Sequence, residues 1–217
     1  MRAPVVICAA LLLAGVAAAA TGKEPKKVII PAVQAKAKVM NVKLSDLPAA
    51  AGFKPKPASP DTGTPKCSFY NPDQSDLTEN GDAKSPEFTL PSSSFVASSV
   101  SIFKTASQGR TAYSRVVQPK LPLCLAELFK KGAAPTKVTV VSAKQRAFPK
   151  LAERSIAYRV HASFKSNGRA FQVYFDIVAM NRAKVDAVIF FFGLGGSYNN
   201  SFEQKVAGVV AARTKNQ

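Results

Sequence analysis

His161 is the only histidine in the chain. In a period-two reading it shares one side of a strand with Arg159 and lies across a hairpin from Tyr174 and Asp176. An imidazole that titrates, an aromatic ring and an oppositely charged pair on one face would make a shallow ligand platform. The same four residues also suit an ordinary sheet surface, where a cross-strand salt bridge and polar contacts are each worth under about 1 kcal/mol. Catalytic patterns do not emerge: no serine stands in a Gly-x-Ser-x-Gly setting, and no histidine or cysteine cluster has metal-ligand spacing. Gly193-Leu194-Gly195-Gly196 follows a strand and precedes a helix, but it lacks the Gly-Lys-Ser/Thr ending of a phosphate loop and has no βαβ unit after it. The expectation is a protein without enzymatic activity and with no cofactor.

Two other residue sets carry chemical meaning. The formal charge is +17, and Lys23, Lys26, Lys27, Lys36, Lys38 and Lys43 crowd the segment 21–43, suited to an anionic cell-envelope polymer or a lipid surface. There is no tryptophan and the aromatics are needed for a core, so base stacking on nucleic acid is not expected. The second set is Cys67 and Cys124, whose pairing depends on the compartment.

That compartment is indicated by the first twenty residues. Met1-Arg2 supplies a charge, Val5 to Val16 is an unbroken apolar run, and Ala17-Ala18-Ala19-Ala20 offers small residues for cleavage. These are the parts of a secretory signal. Val5 to Ala20 spans 16 residues, short of the roughly 20 that a membrane-crossing helix needs. Cys8 lies too early in the run to become the lipid-modified first residue of a mature chain. Cleavage near Ala20 removes Arg2 and Cys8, lowers the charge to +16 and leaves two cysteines. In an oxidising compartment Cys67 and Cys124 pair, and a loop of that length restricts the unfolded chain by about 4 kcal/mol. The mature protein is expected to be secreted, or held at the cell wall, without a transmembrane segment.

The elements that must position these residues follow from local pattern. Residues 21–43 read as a mobile basic tail, with Val28-Ile29-Ile30 able to join a sheet edge, and residues 44–217 as a single domain. Ser45-Asp46 can cap a short helix closed by Gly52. Residues 53–66 are proline-rich and extended, and the acidic stretch 71–87 reads as a solvated loop. A strand is expected over 95–104, a helix capped by Thr105 through Val117, and a second helix from Leu121 that ends at Lys130-Lys131 with Gly132 just beyond, carrying Cys124. Four strands follow at 136–147, 154–165, 169–180 and 184–192, then a helix at 200–213.

Asn167-Gly168 is the strongest turn signal, because a type I′ turn needs positive φ at both central residues. A two-residue turn there pairs Phe164 with Phe171, Ala162 with Val173 and Val160 with Phe175 on one face. The other face then pairs Ser163 with Gln172, His161 with Tyr174 and Arg159 with Asp176. A three-residue turn at Asn181-Arg182-Ala183 is expected to carry the division onward. It would put Val185, Ala187, Ile189 and Phe191 on the apolar face and Lys184 and Asp186 on the polar one.

Three stretches then bring a family into view: Pro72-Asp73-Gln74-Ser75-Asp76-Leu77-Thr78, the helix pair around Tyr113 and Cys124-Leu125-Ala126, and Tyr174-Phe175-Asp176-Ile177-Val178-Ala179-Met180. Together they resemble secreted actinobacterial proteins similar to the extracellular sensor domain of a serine/threonine kinase and to Mog1/PsbP-like lipoproteins, over about Leu44 to Ala212. The resemblance implies an α+β fold: a curved antiparallel sheet, its four-stranded C-terminal meander joined by one or more N-terminal strands, with packed helices and a groove for an extracellular ligand. The chain departs from the kinase pattern in having no kinase domain, one disulfide instead of two, and Ala183 where relatives often place glycine. The leading expectation is a sensor-like, non-enzymatic module for an extracellular ligand. The alternative is an adhesion protein that grips anionic polymer or lipid through its basic tail.

Overall fold

The computed structural model describes residues 23–59, 63–132, 137–166 and 168–216. The expected secretory signal therefore lies outside the described residues, as does Asn167. Four α-helices are seen: α1 (Pro31–Met40), α2 (Ala106–Val116), α3 (Leu121–Gly132) and α4 (Asn200–Arg213). The strands are β1 (Lys26–Lys27), β2 (Lys54–Lys56), β3 (Thr78–Lys84), β4 (Glu87–Thr89), β5 (Phe95–Phe103), β6 (Val138–Arg146), β7 (Arg154–Ser166), β8 (Arg169–Arg182) and β9 (Val185–Leu194). They form one curved, open sheet in the order β1-β3-β5-β9-β8-β7-β6, with β4 on β5 and β2 on β4. Among the described strand pairs only β1–β3 is parallel. The fold is α+β, with helices on both faces.

The central helices start where the sequence signals them. The Thr105 hydroxyl accepts from Gln108 N at the head of α2, and Asn199 accepts from Phe202 N at the head of α4, each filling one of the orphan donors of a first turn. A disulfide joins Cys67 to Cys124 and ties the loop before β3 to α3.

Two segments differ from expectation. Residues 21–43 do not form a loose tail over the part described: β1 extends the sheet edge, and α1 lays Ala37 and Met40, both 0% exposed, onto the core. Helix period alone places those two residues and Val33 on one side; the lysines occupy the other, so composition hid the pattern. The folded unit accordingly begins before Leu44. The acidic stretch is likewise not all loop, because Thr78–Lys84 pairs antiparallel with β5, leaving 71–77 as the loop. Its inward positions are Glu79, Gly81 and Ala83. Gly81 is required there, since a Cβ would come within 2.9 Å of the Val33 and Gln34 backbone.

The β7–β8 hairpin has the predicted register, with Phe164 opposite Phe171, His161 opposite Tyr174 and Arg159 opposite Asp176. Gly168 takes φ +75° in the turn. The next turn corrects the expectation. Arg182 pairs with Val185, so only Ala183 and Lys184 lie between the strands, and the parity of β9 is reversed. Val185, Ala187, Ile189 and Phe191 lie on the face of Arg159 and Asp176, under α1 and α4. The opposite face carries Tyr158, Val160 and Phe164 under α3. Both faces are covered, so both are apolar over the sheet centre, and hydrophobicity alone could not choose between the two parities.

Ala183 accepts φ +49° in a turn held by Asn181, whose Nδ2 donates to Ala183 O, Val185 O and Asp186 Oδ1. Desolvation pushes the Asp186 carboxyl up to about 8, although the residue keeps part of its surface. A carboxyl raised above its ordinary 3.8 contributes most stability below that pH, and the contribution falls as pH rises towards about 8. Asp186→Asn is therefore expected to raise Tm in alkaline buffer, with the gain vanishing in acid. A gain that is equal at all pH values would show that Asp186 ionises normally.

Candidate functional site

The four residues singled out in the sequence do share one face. Arg159 grips Asp176 with two hydrogen bonds, Nε to Oδ1 at 2.6 Å and Nη2 to Oδ2 at 2.8 Å. The Arg159 guanidinium also sits 5.7 Å from the Tyr174 ring centroid, within cation–π range. The His161 and Tyr174 rings stack with centroids 4.3 Å apart. His161 Nε2 lies 2.7 Å from Gln172 Oε1, a spacing that has the imidazole donating to the amide oxygen.

Helix α4 covers one end of this group. Asp176 is 1% exposed and Glu203, from α4, is 0% exposed. Arg146, from β6, is the fourth member: it forms an ion pair with Glu203, approaches Asp176 at 3.9 Å and donates from Nη1 to Asn200 Oδ1 at 2.9 Å. Arg159 Nη2 reaches Glu203 Oε1 at 3.7 Å. The hydrogen bond to Asp176 raises the pKa of Arg159, while desolvation lowers that of Arg146. Two cations thus balance two buried carboxylates. The Arg159–Asp176 pair is internal to the protein, and its charge is neutralised before any ligand arrives.

Beyond α4 the face is partly open. His161, Gln172 and Tyr174 are half-buried, and the register sets Ser142 beside His161 and Thr139 beside Ser163. The result is a polar shelf of hydroxyl, amide and imidazole groups around one aromatic stack, bordered on the same face by the ion quartet under α4. Arg146 and Glu203 were missed in the sequence reading. Glu203 is the sole acidic residue after Asp186 and falls on the apolar stripe of its helix, which was the available signal.

The six lysines are distributed differently. Lys23 pairs with Asp73 at 3.0 Å, and Lys27 with Asp82. Lys26, Lys36, Lys38 and Lys43 are exposed on β1, on α1 and just after it. No group of three or more His, Cys, Asp or Glu side chains among the described residues is placed to hold a metal ion. No helix among them is long and apolar enough to cross a membrane.

No family model matches the sequence, and no curated protein does. Among solved structures, the extracellular domain of PknH from Mycobacterium tuberculosis is similar with a TM-score of 0.39 and 13% identity, over 64% of this chain and 66% of that domain. LpqN of Mycobacterium tuberculosis, described as involved in cell envelope biogenesis, is similar with a TM-score of 0.31 and 12% identity, over 79% of this chain and 95% of that one. The likeness is one of fold, and it is weak. It touches actinobacterial extracellular and envelope proteins, and it transfers no site residue.

Proposed function

We propose that this chain is a non-enzymatic extracellular binding module and that its ligand lies on the shelf formed by His161, Gln172 and Tyr174, bordered by Arg159 and Asp176. The stacked His161–Tyr174 pair at the open end of a covered sheet face carries this reading: an aromatic plane beside amide and hydroxyl groups suits a small or extended polar ligand. The quartet beside it is formally neutral, so the shelf itself offers hydrogen bonds and ring stacking, which suits an uncharged ligand, with Lys144 a cation that the register adds at its border. His161 supplies its own reporter, since a single histidine gives one set of imidazole signals. Titration with a panel of neutral oligosaccharides is expected to shift those signals saturably, and Tyr174→Ala to weaken binding at least tenfold with little change in Tm. A variant that loses stability but binds as before would assign Tyr174 to structure alone.

A second reading, attachment to an anionic envelope surface, is favoured by one observation. Of the eight exposed large apolar side chains among the described residues, five (Val28, Ile29, Ile30, Val39 and Leu44) lie between residues 28 and 44, among Lys26, Lys36, Lys38 and Lys43. Apolar residues interleaved with lysines suit an anionic lipid interface. Co-sedimentation with phosphatidylglycerol vesicles is expected, weakened by salt and by Val39→Gln. Binding that ignores Val39 would point to charge alone, and hence to a polymer.

A further inference from the structure

Helix α2 carries a polar stripe on the opposite side of the sheet from the shelf. Its buried side, Gly109, Ala112 and Tyr113, is pressed onto the β8–β9 turn so closely that a Cβ on Gly109 would lie 2.6 Å from Ala183 O. This contact fixes the outward orientation of Ser107, Arg110, Thr111 and Ser114, which recur at helical spacing. Arg154, at the start of β7, lies across them: its Nη1 donates to Ser114 Oγ at 2.7 Å and to Arg110 O at 3.2 Å. Those four residues, with Arg154, Arg115 and Gln118, line an open depression of about 360 Å3.

The charges in this depression are arranged one way. Arg115 is turned to the adjoining loop, where it holds the Asp76 carboxylate and donates to Asp73 O at 2.7 Å. Arg110 and Arg154 form no ion pair among the described residues; Asp186 is the carboxyl that feels Arg154, and desolvation holds it largely protonated at neutral pH, while the described lining contains no acidic side chain. Two uncompensated guanidinium groups, the hydroxyls of Ser107 and Thr111 and the Gln118 amide therefore face the same space. Guanidinium donors match the oxygens of a tetrahedral oxyanion in pairs, and hydroxyls complete the shell.

We infer that this depression is a binding site for a phosphate group, held by Arg110 and Arg154 with Ser107 and Thr111 as additional donors. It is independent of the shelf reading, since the two sites occupy opposite faces of the sheet. A second depression of about 510 Å3, which shares Arg115 and Gln118 with the first, leaves room for an ester substituent.

The test is a titration of isotope-labelled protein at constant ionic strength with inorganic phosphate and, separately, with glycerol 3-phosphate. The amide signals of Ser107, Thr111 and Ser114 are expected to shift saturably in the millimolar range. Arg110→Gln and Arg154→Gln should each weaken binding at least tenfold, and Lys165→Gln, an equal loss of charge elsewhere, should leave it unchanged. Tighter binding of the ester would assign the site to a phosphate carried on a larger molecule, and tighter binding of inorganic phosphate to the free anion. No saturable shift, shifts of the same size with sodium chloride, or full binding by Arg110→Gln would overturn the inference. Arg110 is exposed and its side chain supports no other residue in the hydrogen-bond pattern, so its variant decides even if Arg154→Gln proves unstable.

Discussion

A chain lacking residues 21–43 is expected to lose its cooperative thermal transition. Removing them strips the sheet edge of β1, whose neighbours Val28 and Ile30 donate to Glu79 O and Asn80 O. It also takes away Ala37, Met40 and Val42, all no more than 2% exposed. Asn41 goes with them. Its side chain donates to Ala37 O and Ala83 O and accepts from Ser98, so its loss orphans a buried hydroxyl and a strand carbonyl as well. A milder version of the experiment is Met40→Ala, which leaves a cavity against the sheet and is expected to cost about 2–5 kcal/mol, read by urea denaturation. An intact melting curve for the truncated chain would return this segment to the status of a tail.

The second large effect concerns the ion quartet. Glu203→Gln is expected to destabilise the protein by about 3–5 kcal/mol, because it leaves Arg146 facing a low-dielectric interior with half its compensation removed. Asp176→Asn should act similarly through Arg159, whose Nε and Nη2 both depend on that carboxylate. The informative comparison is the double change Arg146→Met with Glu203→Leu, which removes the cation and the anion together. Breaking a buried pair costs more than replacing it, so the double variant should be more stable than Glu203→Gln alone. If the losses simply add, Arg146 and Glu203 are not coupled, and α4 is held to the sheet by Val206, Ala207 and Val210 instead.

These two results bear on the candidate site in different ways. Loss of α1 uncovers β3 and β5, on the same sheet face as His161 but at least three strands away from it, whereas loss of Glu203 frees Arg146 and Arg159, which border the shelf. A Glu203 variant that still folds should therefore show a displaced His161 signal.

Much of the architecture is legible in local sequence. Thr105 marks the head of α2. The Asn167-Gly168 signal predicts the β7–β8 register that is found, with Gly168 at positive φ, and with it the approach of Arg159 to Asp176 and of His161 to Tyr174. The pairing of Cys67 with Cys124 is expected from cysteine parity once the first twenty residues are read as an export signal. These features are decided within a few residues, or by a count that needs no geometry.

Other features only the tertiary structure could decide. Lysine and alanine dominate 21–43, and the burial of Ala37 and Met40 depends on a sheet surface formed by residues far along the chain. The acidic stretch becomes β3 because Gly81 admits α1 and β5 supplies its backbone partners. The β8–β9 turn has no glycine to announce it; Ala183 is driven to positive φ by Asn181 and by the packing of Gly109, and that choice sets which face of β9 meets Asp176. Arg146 and Glu203 come together only when α4 docks. Short-range signals report the conformational preference of a few residues, whereas strand parity, helix docking and the pairing of buried charges are settled by the free energy of assembling the whole core.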